Sequence, residues 1–310
     1  HGSTDGVWET PDLFKLHLKD DSGSRWALTV GVGNGGPVGG SGTQYFIGDF
    51  DGKNFISENP KETILWADFG ADYYAPQSWS DEPNGRRLML GWMSNWQYAA
   101  VVPADDWRGA FSLPRELSLE TTPDGLRLVQ KPISEMWSLR TEEFNWQGRK
   151  IVPGENLLNE LRMNACEIVA EFQVTSSVDV FGLRVRKSDS EQTTVGYKQK
   201  TNEIFVDRTR SGQVAFTDVF AALHSAHLEP RDGMIRLHVF VDRCSVEVFA
   251  NEGLLTLSDL IYPSEKSLGL ELFSEGGEVH LNSLDVYKLK PAVQTLYQDR
   301  LSIFDQKLEL

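Results

Sequence analysis

The sequence predicts an all-β protein in two parts, the short strands of β-propeller blades followed by a β-sandwich. Three features of the 310 residues lead there. Turn signals recur about every 8–15 residues, and little between them reads as helix. The intervening runs are short, β-branched and aromatic, as strands in radial or closed all-β architectures are. After Lys131-Pro132 the runs lengthen and their apolar residues alternate more cleanly, the mark of a sheet with one buried face.

In the first part, residues 1–130, turns at Asp20-Asp21-Ser22-Gly23, Gly31 to Gly42, Asp51-Gly52, Pro83-Asn84-Gly85 and Pro123-Asp124-Gly125 separate the strands. The β-prone runs between them are Trp26–Val32, Gln44–Phe50, Arg87–Met93 and Leu126–Val129, short and aromatic enough to lean towards blades. Residues 131–140 read as a linker, with one helical turn or two over Ile133–Arg140. Residues 141–290 read as the sandwich. In Ile235–Asp242, Ile235, Leu237, Val239 and Val241 share one face, while Arg236 and His238 take the other. Val246 and Val248 alternate with Ser245 and Glu247, and Asn251-Glu252-Gly253 has the composition of a hairpin turn. Glu167–Val174 and Glu278–Tyr287 supply further strands. The tail, 291–310, is polar with irregularly spaced Leu and reads as a short helix or a disordered end.

Several function classes fall away on composition. The net charge of −15 offers nothing to draw in a nucleic acid. No apolar run approaches the roughly 18–20 residues of a membrane-spanning helix. Cys166 and Cys244 have no C-x-x-C spacing and are expected as free thiols rather than a disulfide. The six His residues form no H-E-x-x-H or H-x-H pair, so neither a catalytic metal nor another cofactor is expected. Gly31–Gly42 holds seven glycines, but no helix opens after it and no P-loop Lys follows, which makes it a loop beside a cleft. There is no G-x-S-x-G elbow.

Carboxylates among aromatics remain. Glu9 lies in Trp8-Glu9-Thr10-Pro11-Asp12, between an indole and a proline-restricted backbone. A carboxyl held against an aromatic ring in a poorly solvated cleft suits general acid work, although taken alone such a Glu reads as a solvated loop acid. Trp66–Tyr74 and Gly91–Trp96 add aromatics and acids, among them Asp68, Tyr74 and Trp92. Ring faces that stack on sugar C–H surfaces beside hydroxyl-binding carboxylates are the chemistry of carbohydrate clefts. Composition by itself favours the alternative that these rings are blade core.

Taken together, six segments resemble glycoside hydrolase family 32, the invertases, levanases and inulinases. They are Trp8-Glu-Thr-Pro-Asp-Leu-Phe14, Gly42-Thr-Gln-Tyr-Phe-Ile-Gly-Asp-Phe-Asp-Gly52, Asp68-Phe-Gly-Ala-Asp-Tyr-Tyr-Ala-Pro-Gln77, Gly91-Trp-Met-Ser-Asn-Trp-Gln-Tyr98, Trp107-Arg-Gly-Ala-Phe-Ser-Leu-Pro-Arg-Glu-Leu117 and Val241-Asp-Arg-Cys-Ser-Val-Glu-Val-Phe-Ala-Asn-Glu-Gly253. They run in the family's order from about residue 1 to 290. The resemblance implies a five-bladed propeller followed by a sandwich, and a retaining hydrolase that releases fructose from levan, inulin or sucrose. It places Glu9 as acid/base, Trp92 against the fructosyl unit, Tyr74 in the cleft and Asp68 on the sugar beyond the scissile bond. Thr10 stands where the family usually has Cys. Ala71 stands where similar plant invertases tend to carry Lys, which leans away from a sucrose specialist, and the glycine-rich loop also looks more like levanases and inulinases.

The family's nucleophile, an Asp in a W-x-N-D-P-N-G-like segment, and its Arg-Asp-Pro segment are both absent from this sequence; Arg231-Asp232-Gly233 looks like a turn. The resemblance therefore implies the C-terminal portion of such an enzyme, without roughly the first two blades and inactive by itself. Either a complementary upstream chain as partner or a fragment that folds poorly by itself is expected, with fructan or sucrose as substrate and an extracellular setting inferred from polymeric substrates. A non-catalytic carbohydrate-binding fragment and a fructosyltransferase are the alternatives.

Overall fold

Short apolar runs broken by glycine, asparagine and aspartate turns pair into four antiparallel sheets in the computed structural model, which describes residues 1–104, 108–174 and 178–292. The first sheet runs in chain order through β1 (Trp8–His17), β2 (Ser24–Val32), β3 (Gly42–Phe50) and β4 (Phe55–Ser57), with β5 (Leu65–Trp66) added to β3. The second orders β6 (Tyr74–Ser78) and β7 (Arg87–Met93), with β8 (Ala110–Phe111) beside β7, then β9 (Arg115–Thr122) and β10 (Gly125–Pro132). Phe14, Leu16, Ala27 and Ile47 of the first sheet share one buried cluster with Met89, Leu117, Leu119 and Leu128 of the second, so the two meanders pack face to face as neighbouring blades. Two blades lie among the described residues, with β9 and β10 completing the blade begun by β6 and β7.

The sandwich follows a 3₁₀ turn, Ser134–Leu139. One sheet orders β11 (Arg140–Ile151), β21 (Val279–Leu289), β12 (Cys166–Gln173), β17 (Met234–Val241), β18 (Ser245–Ala250) and β19 (Leu255–Leu260). The other orders β16 (Leu223–His227), β15 (Glu203–Arg210), β14 (Gln192–Lys198), β13 (Val180–Lys187) and β20 (Gly269–Glu275). The inward faces supply Ile168, Phe172, Phe181, Val195, Ile235, Leu237, Val239 and Leu284 to one core. Arg236 and His238 take the opposite face, as their alternation predicts. The turn Asn251-Glu252-Gly253 is left-handed at all three residues and joins β18 to β19. Arg231-Asp232-Gly233 is likewise a tight turn, closed by paired bonds between Arg231 and Met234.

Cys166 and Cys244 are free thiols, and burial pushes the Cys166 thiol up to about 12. No helix among the described residues is long and apolar enough to cross a membrane. The tail reading falls largely on 293–310, outside the described residues.

Two buried arginines knit the blades to the sandwich. Arg115, at the start of β9, donates to Asp68 (3.0 Å) within the blades and to Glu247 (3.0 Å) and Ser258 (2.6 Å) of the sandwich. Its guanidinium also lies 3.9 Å from the centre of the Tyr73 ring. Arg208 on β15 reaches the other way, to Asp72 (2.7 Å) and the Tyr98 hydroxyl (3.1 Å) of the blades. Asp259 of β19 sits 3.5 Å from Arg208 and 2.6 Å from His224.

Candidate active site

Glu9 is positioned by a fault in a strand. Along β1 and β2 the register runs Trp8 to Val32 and Glu9 to Gly31, then jumps to Asp12 opposite Thr29. Thr10 and Pro11 therefore bulge out of the ladder, and Thr10 takes a left-handed φ of 47°, a rare conformation for a β-branched residue. The second blade repeats the device. Between β6 and β7 the register jumps from Tyr74–Trp92 to Gln77–Leu90, and Ala75, before Pro76, has φ 48°. The sequences Glu9-Thr-Pro-Asp12 and Tyr74-Ala-Pro-Gln77 thus build the same bulge on the first strand of each blade, and the residue opening each bulge meets the other. The Tyr74 hydroxyl donates to Glu9 Oε2 at 2.5 Å.

Gly31 is what lets the pair form. A Cβ there would stand 3.0 Å from Thr10 Oγ1, 3.1 Å from the Tyr74 ring and 3.2 Å from the Glu9 carbonyl oxygen. Each bulge is also tied down at its far end. Asp12 accepts from the Ser78 amide (2.8 Å) and hydroxyl (2.7 Å), and the Gln77 amide donates to the Thr10 carbonyl at 3.1 Å. Burial, and then the adjoining Glu9 carboxylate, push the Tyr74 phenol well above its ordinary value, so it stays a proton donor in this bond.

The neighbouring indole of Trp8 does not cover Glu9. Its ring packs on Phe46 with centroids 5.7 Å apart, and its Nε1 donates to the Ser3 carbonyl. The aromatic partner is Tyr74, 65 positions away, because residues adjacent in a strand point to opposite faces. Tyr74 and Trp92 lie edge to face at 6.3 Å, and Trp92 meets Trp96 at 4.8 Å. Glu9 itself is exposed, so this wall of rings is open on one side. A separate groove of about 630 Å³ between the blades and the sandwich, lined by Tyr45, Trp66, Phe69 and Arg231, does not include Glu9.

Asp68 is not part of this wall. It is 3% exposed, with Oδ1 taken by the amides of Gly70 and Ser258 and Oδ2 by Arg115 and the Ser258 hydroxyl. A carboxylate with every lone pair engaged at the domain junction has none left for a sugar. In this structure it ties the blades to the sandwich. Among the described residues no group of three or more His, Cys, Asp or Glu side chains could hold a metal ion. Sequence reasoning passed over Asn95 and Trp96, quoted only within the Gly91–Tyr98 segment. Their signal was a polar residue and a second Trp immediately after a blade strand.

Comparison with known proteins fits this geometry. The family model for the N-terminal domain of glycosyl hydrolases family 32 matches residues 1–132, and that for the family 32 C-terminal domain matches 135–288. A levanase from Bacillus subtilis (strain 168) is 46% identical over 295 residues, which is 93% of this chain and 44% of that protein. The chain belongs to glycoside hydrolase family 32.

Two further members of family 32 bear on the site and fold. The extracellular exo-inulinase of Aspergillus ficuum is 38% identical over 300 residues, covering 92% of this chain and 55% of that protein. The crystal structure of the exo-inulinase from Aspergillus awamori superposes with a TM-score of 0.87 at 34% identity, over 93% of this chain and 58% of that one. The chain thus has the propeller-plus-sandwich fold of family 32 and spans about half the length of the curated relatives it matches.

Proposed function

We propose that this chain carries the acid/base part of a retaining fructan hydrolase, with Glu9 as the proton-transfer group. The observation that carries the reading is the Glu9–Tyr74 pair, built by matched bulges on two blades at the foot of an aromatic wall. In this role Glu9 protonates the glycosidic oxygen as its bond to the anomeric carbon breaks. A second carboxylate attacks that carbon and forms a covalent fructosyl-enzyme. Glu9 then takes a proton from water, whose oxygen displaces the carboxylate and frees fructose. The Tyr74 hydroxyl holds the Glu9 carboxyl in place between the two steps, and Trp92 lies along the fructosyl unit.

Retaining chemistry needs the two carboxyl groups about 5–5.5 Å apart. Among the described residues the hydrogen-bond partner of Glu9 is Tyr74, and no carboxylate pairs with it. We assign the nucleophile to an upstream polypeptide carrying a W-x-N-D-P-N-G-like segment. Its blades would also cover Val7, Trp8 and Phe111, apolar side chains beside Glu9 and Trp92 that are strongly exposed here. Levan or inulin is favoured over sucrose by Ala71 and by the names of the relatives, and an extracellular setting by the exo-inulinases described as extracellular.

The test is fructose release from levan, inulin and sucrose by the 310-residue chain, alone and mixed with the upstream segment. The reading expects no release by the chain alone and release from the mixture. Turnover by the chain alone would overturn the division of the site. Silence in both arms would favour a second reading, carbohydrate binding without turnover, which the open, one-sided setting of Glu9 already supports.

A further inference from the structure

Trp96 is 60% exposed, yet its surroundings are fixed. The Asn95 side chain is fully buried beneath it. Asn95 Nδ2 donates to the carbonyls of Ala71 (2.9 Å), Ser41 (3.3 Å) and Gly39 (3.4 Å), and its Oδ1 accepts from the amides of Ser41 (3.3 Å) and Gln97 (3.0 Å). The Trp96 amide donates to the Ser41 hydroxyl at 3.2 Å. A Cβ at Gly40 would fall 2.1 Å from Asn95 Oδ1, so the turn at Gly40 is shaped around this one side chain. A single exposed apolar residue needs no explanation. An exposed indole on a turn locked by a buried amide does, because its ordering entropy is lost before any ligand arrives.

The ring also continues a series. Tyr74 is 2% exposed and bonded to Glu9, Trp92 is half-buried, and Trp96 is open, each ring adjoining the next. The three rings gather at the Glu9 carboxyl, since Trp96 also bonds the Tyr74 hydroxyl, and Trp96 is the most open of them. The acid protonates the oxygen that links two units, so a ring beside it other than the one under the fructosyl unit is placed for the unit on the leaving side.

We propose that Trp96 is a stacking platform for the sugar unit on the leaving side of the scissile bond, so that the site prefers linked fructose units to a single one. This rests on Glu9 being the acid of a fructan-binding site. The electron-rich face of the indole attracts the electropositive C–H face of the sugar, and the exposed ring presents that face without rearrangement. Trp92 serves the inner unit and Trp96 the next, while the Asn95–Ser41 bonds hold the spacing between them.

Binding rather than turnover tests this in the chain as it stands. Calorimetric titration with fructose and with fructo-oligosaccharides of two to five units should show tighter binding of the longer ligands. Trp96→Ala should weaken oligosaccharide binding about tenfold and fructose binding by a clearly smaller factor. Trp96→Phe should recover part of the loss, and Trp92→Ala should weaken both ligands. Since the Trp96 ring is exposed, unfolding should stay where it is in the wild type. The proposal is overturned if Trp96→Ala binds oligosaccharides like the wild type, or loses fructose and oligosaccharide in equal proportion. A folded wild-type chain that binds neither ligand would remove the fructan reading itself, and this proposal with it.

Discussion

Glu9, Tyr74 and Gly31 act as one unit at the residue scale. The hydroxyl fixes the carboxyl, and the missing side chain at 31 leaves room for both. Glu9→Gln keeps the size and one acceptor but cannot deliver a proton. In the assembled enzyme it should cut turnover by about 10²–10⁴-fold while the unfolding temperature stays within about 2 °C of wild type. Steady-state rates on levan beside a thermal melt check both halves, and unchanged turnover would remove Glu9 from the mechanism. The sequence singled out Glu9, Tyr74 and Trp92, each in a short motif, and the structure brings the three side chains together. The sequence also grouped Asp68 with them, whereas the structure sets Asp68 at the domain junction, because a carboxylate's surroundings depend on the charge it meets. That charge, Arg115, lies 47 positions on, and Ser258 lies 190 positions on. The indole beside Glu9 misled for a related reason, since adjacency in a strand sends side chains apart.

The twin bulges belong to the scale of the element. Each places a residue in a left-handed conformation just before a proline, where backbone freedom is already narrow, and each turns a strand so that its opening side chain faces the other blade. Backbone strain of this sort costs about 1–3 kcal/mol per residue and persists where the surroundings over-determine it. Thr10→Gly removes the steric objection to φ 47°. It should therefore hold or slightly raise the unfolding temperature while loosening Glu9 and lowering turnover. A melt and a rate measured on the same preparation decide the matter, and a rise in turnover would contradict the positioning role. The turns and strand runs were readable in the sequence, since Gly, Asn and Asp mark the former and alternation the latter. The bulges were not, because Thr-Pro and Ala-Pro show their shared geometry only once the partner strands are in register.

At the scale of the molecule, the two buried arginines fix how blades and sandwich meet. Arg115→Ala would leave Asp68 and Glu247 buried without their cation, a loss of about 3–5 kcal/mol, read as a lower midpoint in urea; a midpoint within error of wild type would show the junction to be indifferent to it. Acid should weaken the structure as well. Burial opposes ionisation of Glu120, Glu167 and Asp259, but hydrogen bonds and ion pairs outweigh it and hold all three below their ordinary values: Lys19 and Arg231 at Glu120, Arg140 and His238 at Glu167, His224 and Arg208 at Asp259. Their contribution is fully present above the unfolded-state values near pH 4–4.5 and is lost as pH falls through the lower folded ones. Burial leaves Asp72 and Glu247 shifted upward despite their arginines, and this offsets part of the fall. Melts from pH 7 down to 3 should show a net decline beginning below about pH 5, and a flat profile would mean the opposing groups cancel. The crossed arginines also bear on recombination between relatives. A chimaera joined at Ile133 would inherit Asp72 from one parent and Arg208 from the other, and Arg115 from one and Glu247 from the other. Donor sandwiches should therefore be chosen by whether they supply those two charges at those two places, and overall identity is the poorer guide.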